Sequence, residues 1–329
     1  MTAGSGFTAL ALVLAGFATS SNALAQSRAP DYPAKPIRVV VGSSAGGGGD
    51  IIARTVIQRL NESLGQPIVV DNRGGASGAI ACEIVAKSQP DGYTILIASV
   101  GMLAINPVLY PKLQYAPLRD FAPVTRMAET PYVLVVHPSV GARSVNELVA
   151  LVKSRPGQIN FASGGAGTGN HFSGELFKLA TGLNLVHIPY KGTAPALADV
   201  LGGQVQMMFS TLLPAMPHVK AGRLRALAVT TARRSASSPD LPTIAESGFP
   251  GFETTTWHAV LVPAATAKPI VDRLHTELVK ILLQPEMKER LASQGTEVVA
   301  STPEELTAYI RMETSKWGKV VKQAGIKGD

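Results

Sequence analysis

The fold is decided by the stretch VVVGSSAGGGGDIIAR at residues 39–54, where four consecutive glycines separate a β-branched run from an amphipathic one. The first run predicts a buried strand, and the second predicts a helix. Glycines at such a junction let the backbone approach a ligand closely, and they leave the N–H groups of a helix N-terminus open to an anion. Asp50 alone is more typical of a helix cap, so we infer an anion site only for the loop Ser43–Asp50 as a unit.

A second glycine loop follows the predicted strand Ile159–Ala162. The loop Ser163–His171 adds hydroxyls and an imidazole to exposed backbone amides, which are donors suited to a carboxylate. His171 alone is more typical of a helix start or a packed core. Gly47 and Gly165 are expected to hold a positive φ, which branched side chains resist. Because ligands of open parallel sheets bind beyond the carboxyl ends of the strands, two such loops in two domains predict a cleft between them.

Two further segments are candidates of lower specificity. Pro189–Thr193 follows the apolar strand VHI and combines hydroxyls, amides and one ammonium. Lys191 alone is equally typical of a solvated side chain in a strand-to-helix turn. Ser99 and Asn106-Pro107 follow the strand TILIAS and complete the set.

Motifs for catalysis or cofactor binding are incomplete. A phosphate-binding loop requires Lys where this chain has Gly48, and a dinucleotide fingerprint fails at Ile52. Gly75–Ala79 resembles a nucleophile elbow only weakly, because Ala79 stands where the last glycine belongs. The six histidines sit singly, without metal-ligand spacing. We therefore predict no catalytic residue, metal or cofactor, and an exported hydrolase of α/β type is the alternative.

The chain alternates apolar runs with amphipathic stretches, the βαβα pattern of parallel sheets with helices on both faces. Two such sets, divided near Arg126, each open with a strand, a glycine loop and a helix. After Trp257 the pattern turns helical, and we expect these helices to return to the first domain. The predicted strands are Ile37–Val41, Pro67–Asp71, Thr94–Ala98, Val133–Val136, Ile159–Ala162, Leu185–Ile188, Met207–Phe209 and Leu224–Thr230. The predicted C-terminal helices are Pro269–Leu283, Pro285–Gln294 and Pro303–Gln323.

Composition and charge indicate an exported globular protein. The net charge is +7, but the 30 Lys and Arg are scattered and only 5% of residues are aromatic, which argues against nucleic acid and favours small anions. The single cysteine, Cys82, predicts an inert core thiol. The apolar run Phe7–Ala18 and the following Ala23-Leu24-Ala25 predict a signal peptide over residues 1–25.

Several stretches together point to one family: YPAKPIRVVVGSSAGGGGD, VVDNRGGASGAI, AKSQPDGYTIL, INPVLY, FASGGAGTGNH, IPYKGTAPALADVLGGQV, LRALAVTTARRS and DLPTIAESGFPGFE. With them, the chain from Tyr32 to Lys327 resembles the Bug receptors, the extracytoplasmic solute-binding proteins of tripartite tricarboxylate transporters. The resemblance implies an α/β fold of the type II periplasmic binding proteins, in which two doubly wound domains are joined by crossover strands around a ligand cleft. We expect domain 1 at residues 26–128 plus 256–329 and domain 2 at residues 129–255.

By this resemblance, the protein is a periplasmic monomer that binds a small carboxylate, for sensing or for delivery to integral-membrane transporter subunits. The two glycine loops hold one carboxylate through amides, hydroxyls and ordered water, and Tyr190–Thr193 line the pocket. Many members have Phe-Asp-Asn where this chain has Phe209-Ser210-Thr211, so neutral hydroxyls replace an acid and an amide. The predicted ligand-binding residues are Ser43, Ala45, Gly46, Gly47, Gly48, Gly49, Asp50, Ser99, Ser163, Gly165, Gly167, Thr168, His171, Tyr190, Lys191, Gly192, Thr193 and Ser210.

Overall fold

A computed structural model of the chain describes Met1 and residues 32–327. The signal peptide predicted over residues 1–25 therefore lies outside the described residues, apart from Met1. The strands are β1 Ile37–Val41, β2 Ile68–Asn72, β3 Thr94–Ser99, β4 Phe121–Val136, β5 Asn160–Ser163, β6 Val186–Pro189, β7 Met207–Thr211, β8 Arg225–Val229, β9 Thr255–Pro263 and β10 Glu297–Val298.

The helices alternate with these strands and then dominate the C-terminal part. They are α1 Gly48–Leu64, α2 Ala79–Ala86, α3 Asn106–Leu109, α4 Pro117–Asp120, α5 Val145–Ser154, α6 Gly169–Thr181, α7 Thr193–Leu201, α8 Leu212–Lys220, α9 Lys268–Leu282, α10 Pro285–Ser293 and α11 Pro303–Ala324. Among the described residues, no helix combines the length and the apolar character needed to cross a bilayer.

The strands form one mixed sheet in the order β2-β1-β3-β9-β4-β7-β5-β6, and β8 and β10 also pair with β4. The outer pairs are parallel, as predicted: β1 pairs with β2 and β3, and β5 pairs with β6 and β7. The central strands β4 and β9 run antiparallel to their neighbours. The parallel pairing predicted for the two halves is therefore confirmed in the outer pairs, and the antiparallel β4 and β9 are the crossover strands that the family resemblance implied.

Strand β4 connects the two halves of this sheet. Its residues Phe121–Pro131 pair with β9, and its residues Tyr132–Val136 pair with β7. The sequence predicted only Val133–Val136, because Pro123 and two charged residues interrupt the apolar pattern of the first part. The register also shifts on either side of Arg126, so the strand is irregular where the sequence pattern fails.

Strand β9 was not predicted: it continues from Thr255 to Pro263, and the helices expected after Trp257 begin at Lys268. All its residues after the first are buried, because it lies between β3 and β4 with helices on both faces. Trp257 and Leu261 pack into one core cluster, and Val260 and Val262 pack into another. An apolar run without alternation fits a buried strand or a helix equally well.

The hydrophobic core consists of separate clusters in the two halves of the sheet. Two clusters lie on the two faces of the first half, where β1 and β3 pack against α1 and α9 on one side and against α2 and α11 on the other. Two further clusters lie around β5, β7 and the end of β4. The C-terminal helices α9 and α11 thus pack against the first half of the sheet. Cys82 is fully buried, and burial raises the pKa of its thiol to about 12.

Candidate functional site

The first glycine loop is held in shape by Asp50. The Gly46 N–H donates to Asp50 Oδ2 at 2.8 Å, and Arg54 Nε and Asn72 Nδ2 each donate to Asp50 Oδ1 at 2.9 Å. Burial raises the pKa of Asp50, but these bonds outweigh it and hold the pKa below the ordinary 3.8. The carboxylate is therefore ionised, neutralised by Arg54 and fully used inside the protein.

The glycines after this turn begin helix α1. Gly48 and Gly49 are its first residues, and Gly47 precedes them without any side-chain cap, so the first-turn N–H groups are not covered by a side chain. The φ of Gly47 is −72°, so the expected positive φ is wrong there, and Gly46 holds it instead at 75°. Ala45 and Gly46 form the exposed tip of the loop.

The second loop is built in a similar way at the start of α6. Gly165 has a φ of 125°, as expected, and its N–H donates to Ser163 Oγ at 3.1 Å. The Thr168 hydroxyl donates to Gly165 O at 2.6 Å and thereby closes the turn. Ser163 itself is fully buried, with its Oγ 2.6 Å from His187 Nε2.

His171 lies under this loop. Its Nδ1 accepts a hydrogen bond from the Gly167 N–H at 3.3 Å, and its ring stacks on that of His187 with 3.9 Å between centroids. Burial is the main cause that lowers the pKa of His171 to about 3 and that of His187 to about 4. Both rings are therefore neutral near pH 7, and the arrangement favours support of the loop by His171. A direct contact between His171 and a ligand stays a prediction.

The third segment contacts the second loop. The Gly192 N–H donates to Gly164 O at 3.1 Å, with a Gly192 φ of 121°. The Tyr190 hydroxyl donates to Asp199 Oδ2 at 2.6 Å, and it is thus engaged within the protein. Lys191 and Thr193 are exposed at the start of α7.

The predicted site residues from the two halves of the chain meet across one cleft. A Cβ placed on Gly192 would lie 3.4 Å from Ser44 Oγ, and one on Gly48 would lie 3.6 Å from Thr211 Oγ1. On the other side, the Ser77 hydroxyl donates to Ala166 O. The loops Ser43–Asp50 and Ser163–His171 therefore face a common space.

Two predicted residues, Ser99 and Ser210, lie in strands of the sheet instead of in the glycine loops. Ser99 ends β3 and is in register with His258 of β9. Ser210 is buried in β7, and its hydroxyl donates to Thr211 O at 3.1 Å, so it is Thr211 that faces Gly48.

Sequence reasoning missed a group of residues beside the first loop. Together with the predicted Gly48, they line a small cavity of about 20 Å³; the missed residues are Ile52, Thr130, Thr211, Leu213, His258, Gln294 and Thr296. His258 belongs to the unpredicted strand β9, and Thr130 to the unpredicted part of β4. No local motif marks such residues, because only the pairing of the crossover strands brings them to the cleft.

Catalytic features are not assembled at this site. Ser77 lies in the short turn Ala76–Gly78, and the partner of its hydroxyl is a backbone carbonyl instead of a base. Across the part of the chain that the structure describes, no group of three or more His, Cys, Asp or Glu could hold a metal ion. The exported hydrolase is not supported.

A two-domain mixed sheet with glycine loops from both domains facing one cleft defines a solute-binding protein of the periplasmic type. The chain belongs to the tripartite tricarboxylate transporter family receptors, whose family pattern matches residues 52–326. This confirms the resemblance to the Bug receptors that the glycine loops carried. Members of this family are solute-binding receptors.

Individual relatives are similar over nearly the whole chain. Protein BugT of Bordetella pertussis is 38% identical over 321 residues, which cover 97% of this chain and 98% of BugT. A protein of R. palustris solved with adipate is 38% identical, with a TM-score of 0.87 over 90% of this chain and 99% of its own. The periplasmic binding protein BugD is 36% identical, with a TM-score of 0.85 over 91% of this chain and 100% of its own. The type II binding-protein fold is thus confirmed.

Proposed function

We propose that this protein captures a small carboxylate between two domains, residues 26–128 plus 256–329 and residues 129–255. The division is supported by the separate core clusters on either side of the point where β4 passes from β9 to β7. The carboxylate lies between the loops Ser43–Asp50 and Ser163–His171.

The observation that carries this proposal is the pair of helix N-termini at the cleft. Helix α1 has 17 residues and α6 has 13, and neither begins with a side-chain cap. A helix N-terminus carries a partial positive charge and free N–H groups, so two of them facing one space favour a bound anion. Bound adipate in the R. palustris neighbour supports a carboxylate as that anion.

The charges around the cleft argue against a ligand with an ammonium group. Asp50 is neutralised by Arg54, and Asp199 accepts from the Tyr190 hydroxyl. An ammonium group would then be desolvated without a free acid, at a cost on the order of several kcal/mol. Di- or tricarboxylates and aromatic carboxylates therefore bind more tightly than free amino acids.

A thermal-shift panel tests the proposal. Succinate, adipate, citrate and nicotinate should raise the melting temperature more than aspartate or glutamate does. Gly165→Val should abolish these shifts, because its Cβ would crowd Tyr190 O at 3.1 Å and strain a φ of 125°. Gly141→Val is the matched control, since Gly141 also has a positive φ, of 83°, but no neighbour within 4 Å. Equal shifts in the two variants, or tighter binding of the amino acids, would contradict the proposal.

The family to which the chain belongs supports a proposal about the location and partners of the receptor. We place it in the periplasm as a monomer that delivers its ligand to membrane subunits of a tripartite transporter. Native mass spectrometry of the purified protein measures the mass of the assembly, which tests whether the protein is a monomer. The same measurement gives the mass of any ligand that co-purifies with it. A stable dimer would contradict this part of the proposal.

A further inference from the structure

A chain of buried hydroxyl groups runs from the start of α6 to the two crossover strands, β4 and β9. Ser173 Oγ lies 2.9 Å from the carbonyl oxygen of Gly169, the first residue of α6, and 2.9 Å from Thr254 Oγ1. The Thr230 hydroxyl donates to Thr254 O at 2.6 Å, and Thr230 Oγ1 accepts from the Tyr132 N–H at 3.0 Å. Ser173, Thr230 and Thr254 are fully buried. These hydroxyls thus join the helix that begins at the second glycine loop to a residue of β4 and to the residue before β9.

The backbone around these hydroxyls is tied together as well. The Thr230 N–H donates to Tyr132 O at 2.9 Å, and the Thr254 N–H donates to Thr230 O at 3.0 Å. A Cβ placed on Gly169 would clash with the Tyr132 hydroxyl, so the first residue of α6 lies directly against β4. Separating these groups would leave buried polar atoms unpaired, which is costly. The start of α6 and the two crossover strands are therefore held together as one unit.

This unit lies where the two proposed domains are joined. In the proposed division, the described chain passes between the domains only twice, in β4 and at the start of β9. Helix α1 of the first domain and helix α6 of the second present their N-termini to one space, and a carboxylate held by both requires the two helices to be aligned. The attachment of α6 to the crossover strands therefore contributes to its alignment with α1.

We infer that Ser173 and Thr230 are positioning residues of the receptor, which fix the carboxylate-binding start of α6 to the crossover strands. This inference rests on the proposed function, because it takes the start of α6 as part of the anion site. Both residues act through others, since their hydroxyls are buried and bonded within the protein. Without these hydroxyls, the start of α6 can shift relative to α1. Such a shift weakens the hold on the carboxylate although no group that touches it has been removed.

Calorimetry with succinate, adipate, citrate and nicotinate tests the two residues. Ser173→Ala and Thr230→Val should each weaken binding of the tightest of these acids about tenfold, the effect of one to two buried hydrogen bonds. Thr230→Ser keeps the hydroxyl and should bind within about twofold of the wild type. Thr181→Val is the matched control, because the Thr181 hydroxyl also bonds the carbonyl four residues earlier in α6, that of Phe177, but at the far end of the helix. It should keep the wild-type affinity even where its melting temperature falls as much as that of Ser173→Ala.

The double variant Ser173→Ala/Thr230→Val distinguishes one connected network from two independent effects. If the hydroxyls act as one unit, the double variant should bind about as weakly as either single variant. A loss near a hundredfold, wild-type affinity in both single variants, or an equal loss in Thr181→Val would overturn the inference and leave the receptor function intact. Should one single variant not fold by circular dichroism, the other decides against the Thr181→Val control. If none of the four acids binds the wild-type protein, the proposed function itself fails, and the inference fails with it.

Discussion

At the scale of single residues, Asp50 shows how one buried carboxylate can shape a loop through hydrogen bonds within the protein. It was predicted as a helix cap or as part of an anion site. The structure instead directs its carboxylate to the Gly46 N–H, Arg54 and Asn72. The glycines were predictable because few other residues suit such a junction, whereas the partners of Asp50 were not, since Asn72 comes from the end of a different strand.

Asp50→Ala should lower the free energy of unfolding by about 2 kcal/mol, because a charge-assisted bond to Arg54 is lost and the Gly46 N–H and the part-buried Asn72 amide lose their acceptor. Since the pKa of Asp50 is lower in the folded state than the ordinary 3.8, this stabilisation is present above that pH. It is lost as the pH falls through the lowered pKa. Urea unfolding at pH 7, 5 and 3.5 measures the difference between wild type and variant.

Asp272→Ala is the matched control for this prediction. Asp272 also forms an i,i+4 ion pair, with Lys268, but the two side chains are 54% and 83% exposed. Exposed pairs of this kind contribute less than about 0.5 kcal/mol. Equal losses in the two variants would show that the buried bonds of Asp50 do not stabilise the loop.

At the scale of elements, β9 and α11 depend on one buried acid. The indole N–H groups of Trp257 in β9 and Trp317 in α11 donate to Glu313 Oε2 at 3.3 and 3.0 Å. Glu313 is 3% exposed, and Lys316 pairs with its other oxygen at 3.3 Å. This acid therefore fixes the C-terminal helix to the return crossover strand.

Glu313→Ala should lower the free energy of unfolding by about 3 kcal/mol, because it leaves two buried indole N–H groups without an acceptor. Glu304→Ala, at an exposed position in the first turn of the same helix, should change it by less than about 0.5 kcal/mol. Urea unfolding measures both changes in the free energy of unfolding from the shift of the midpoint, provided that the dependence of this free energy on urea concentration is the same in each variant. A loss below 1 kcal/mol for Glu313→Ala would contradict the proposed link.

The elements that could be predicted from sequence are those with a local signature. Strands β1, β5 and β7 and helices α9, α10 and α11 lie within a few residues of their predicted bounds, because apolar runs mark the strands and proline starts and apolar periodicity mark the helices. The crossover strands carry no such signature, since β9 is buried on both faces and β4 is interrupted by Pro123. The cavity residues of these strands were missed for the same reason.

At the scale of the whole molecule, two buried histidines, His171 and His258, and the half-buried His187 make stability depend on pH. Burial lowers the pKa of His171 to about 3 and those of His187 and His258 to about 4, below the ordinary 6.5. As the pH falls from 6.5 to 4, the unfolded chain binds up to three more protons than the folded protein. The free energy of unfolding should therefore fall by up to about 1.4 kcal/mol per pH unit for each histidine.

His258→Phe should remove about one third of this slope, because it removes one of three equivalent protonations. Urea unfolding between pH 7 and 4.5 measures it, with His187→Phe as a second variant of the same expected size. If the free energy of unfolding changed with pH as steeply in both variants as in the wild type, the pH dependence could not be assigned to His187 and His258.

Closure of the cleft also belongs to the whole molecule. Two side chains of the first domain, Ser77 and Tyr110, donate to the Ala166 carbonyl of the second glycine loop, and the Tyr110 bond is 3.3 Å. Since neither loop alone surrounds a small ligand, we expect the two domains to close on it, and these bonds to join the domains only in the closed state. They stabilise the closed state without requiring contact with the ligand.

Ser77→Ala should therefore weaken binding of the tightest acid of the panel about fivefold, because the closed state loses one hydrogen bond that the open state does not have. Its melting temperature without ligand should stay that of the wild type. Ser88→Ala is the control, since the Ser88 hydroxyl also donates to a backbone carbonyl, that of Ile84, but within one domain. X-ray scattering should show the radius of gyration falling when the acid is added to wild type, with more ligand needed for Ser77→Ala. Identical scattering curves with and without saturating ligand, or equal affinities in the two serine variants, would contradict closure by a hinge.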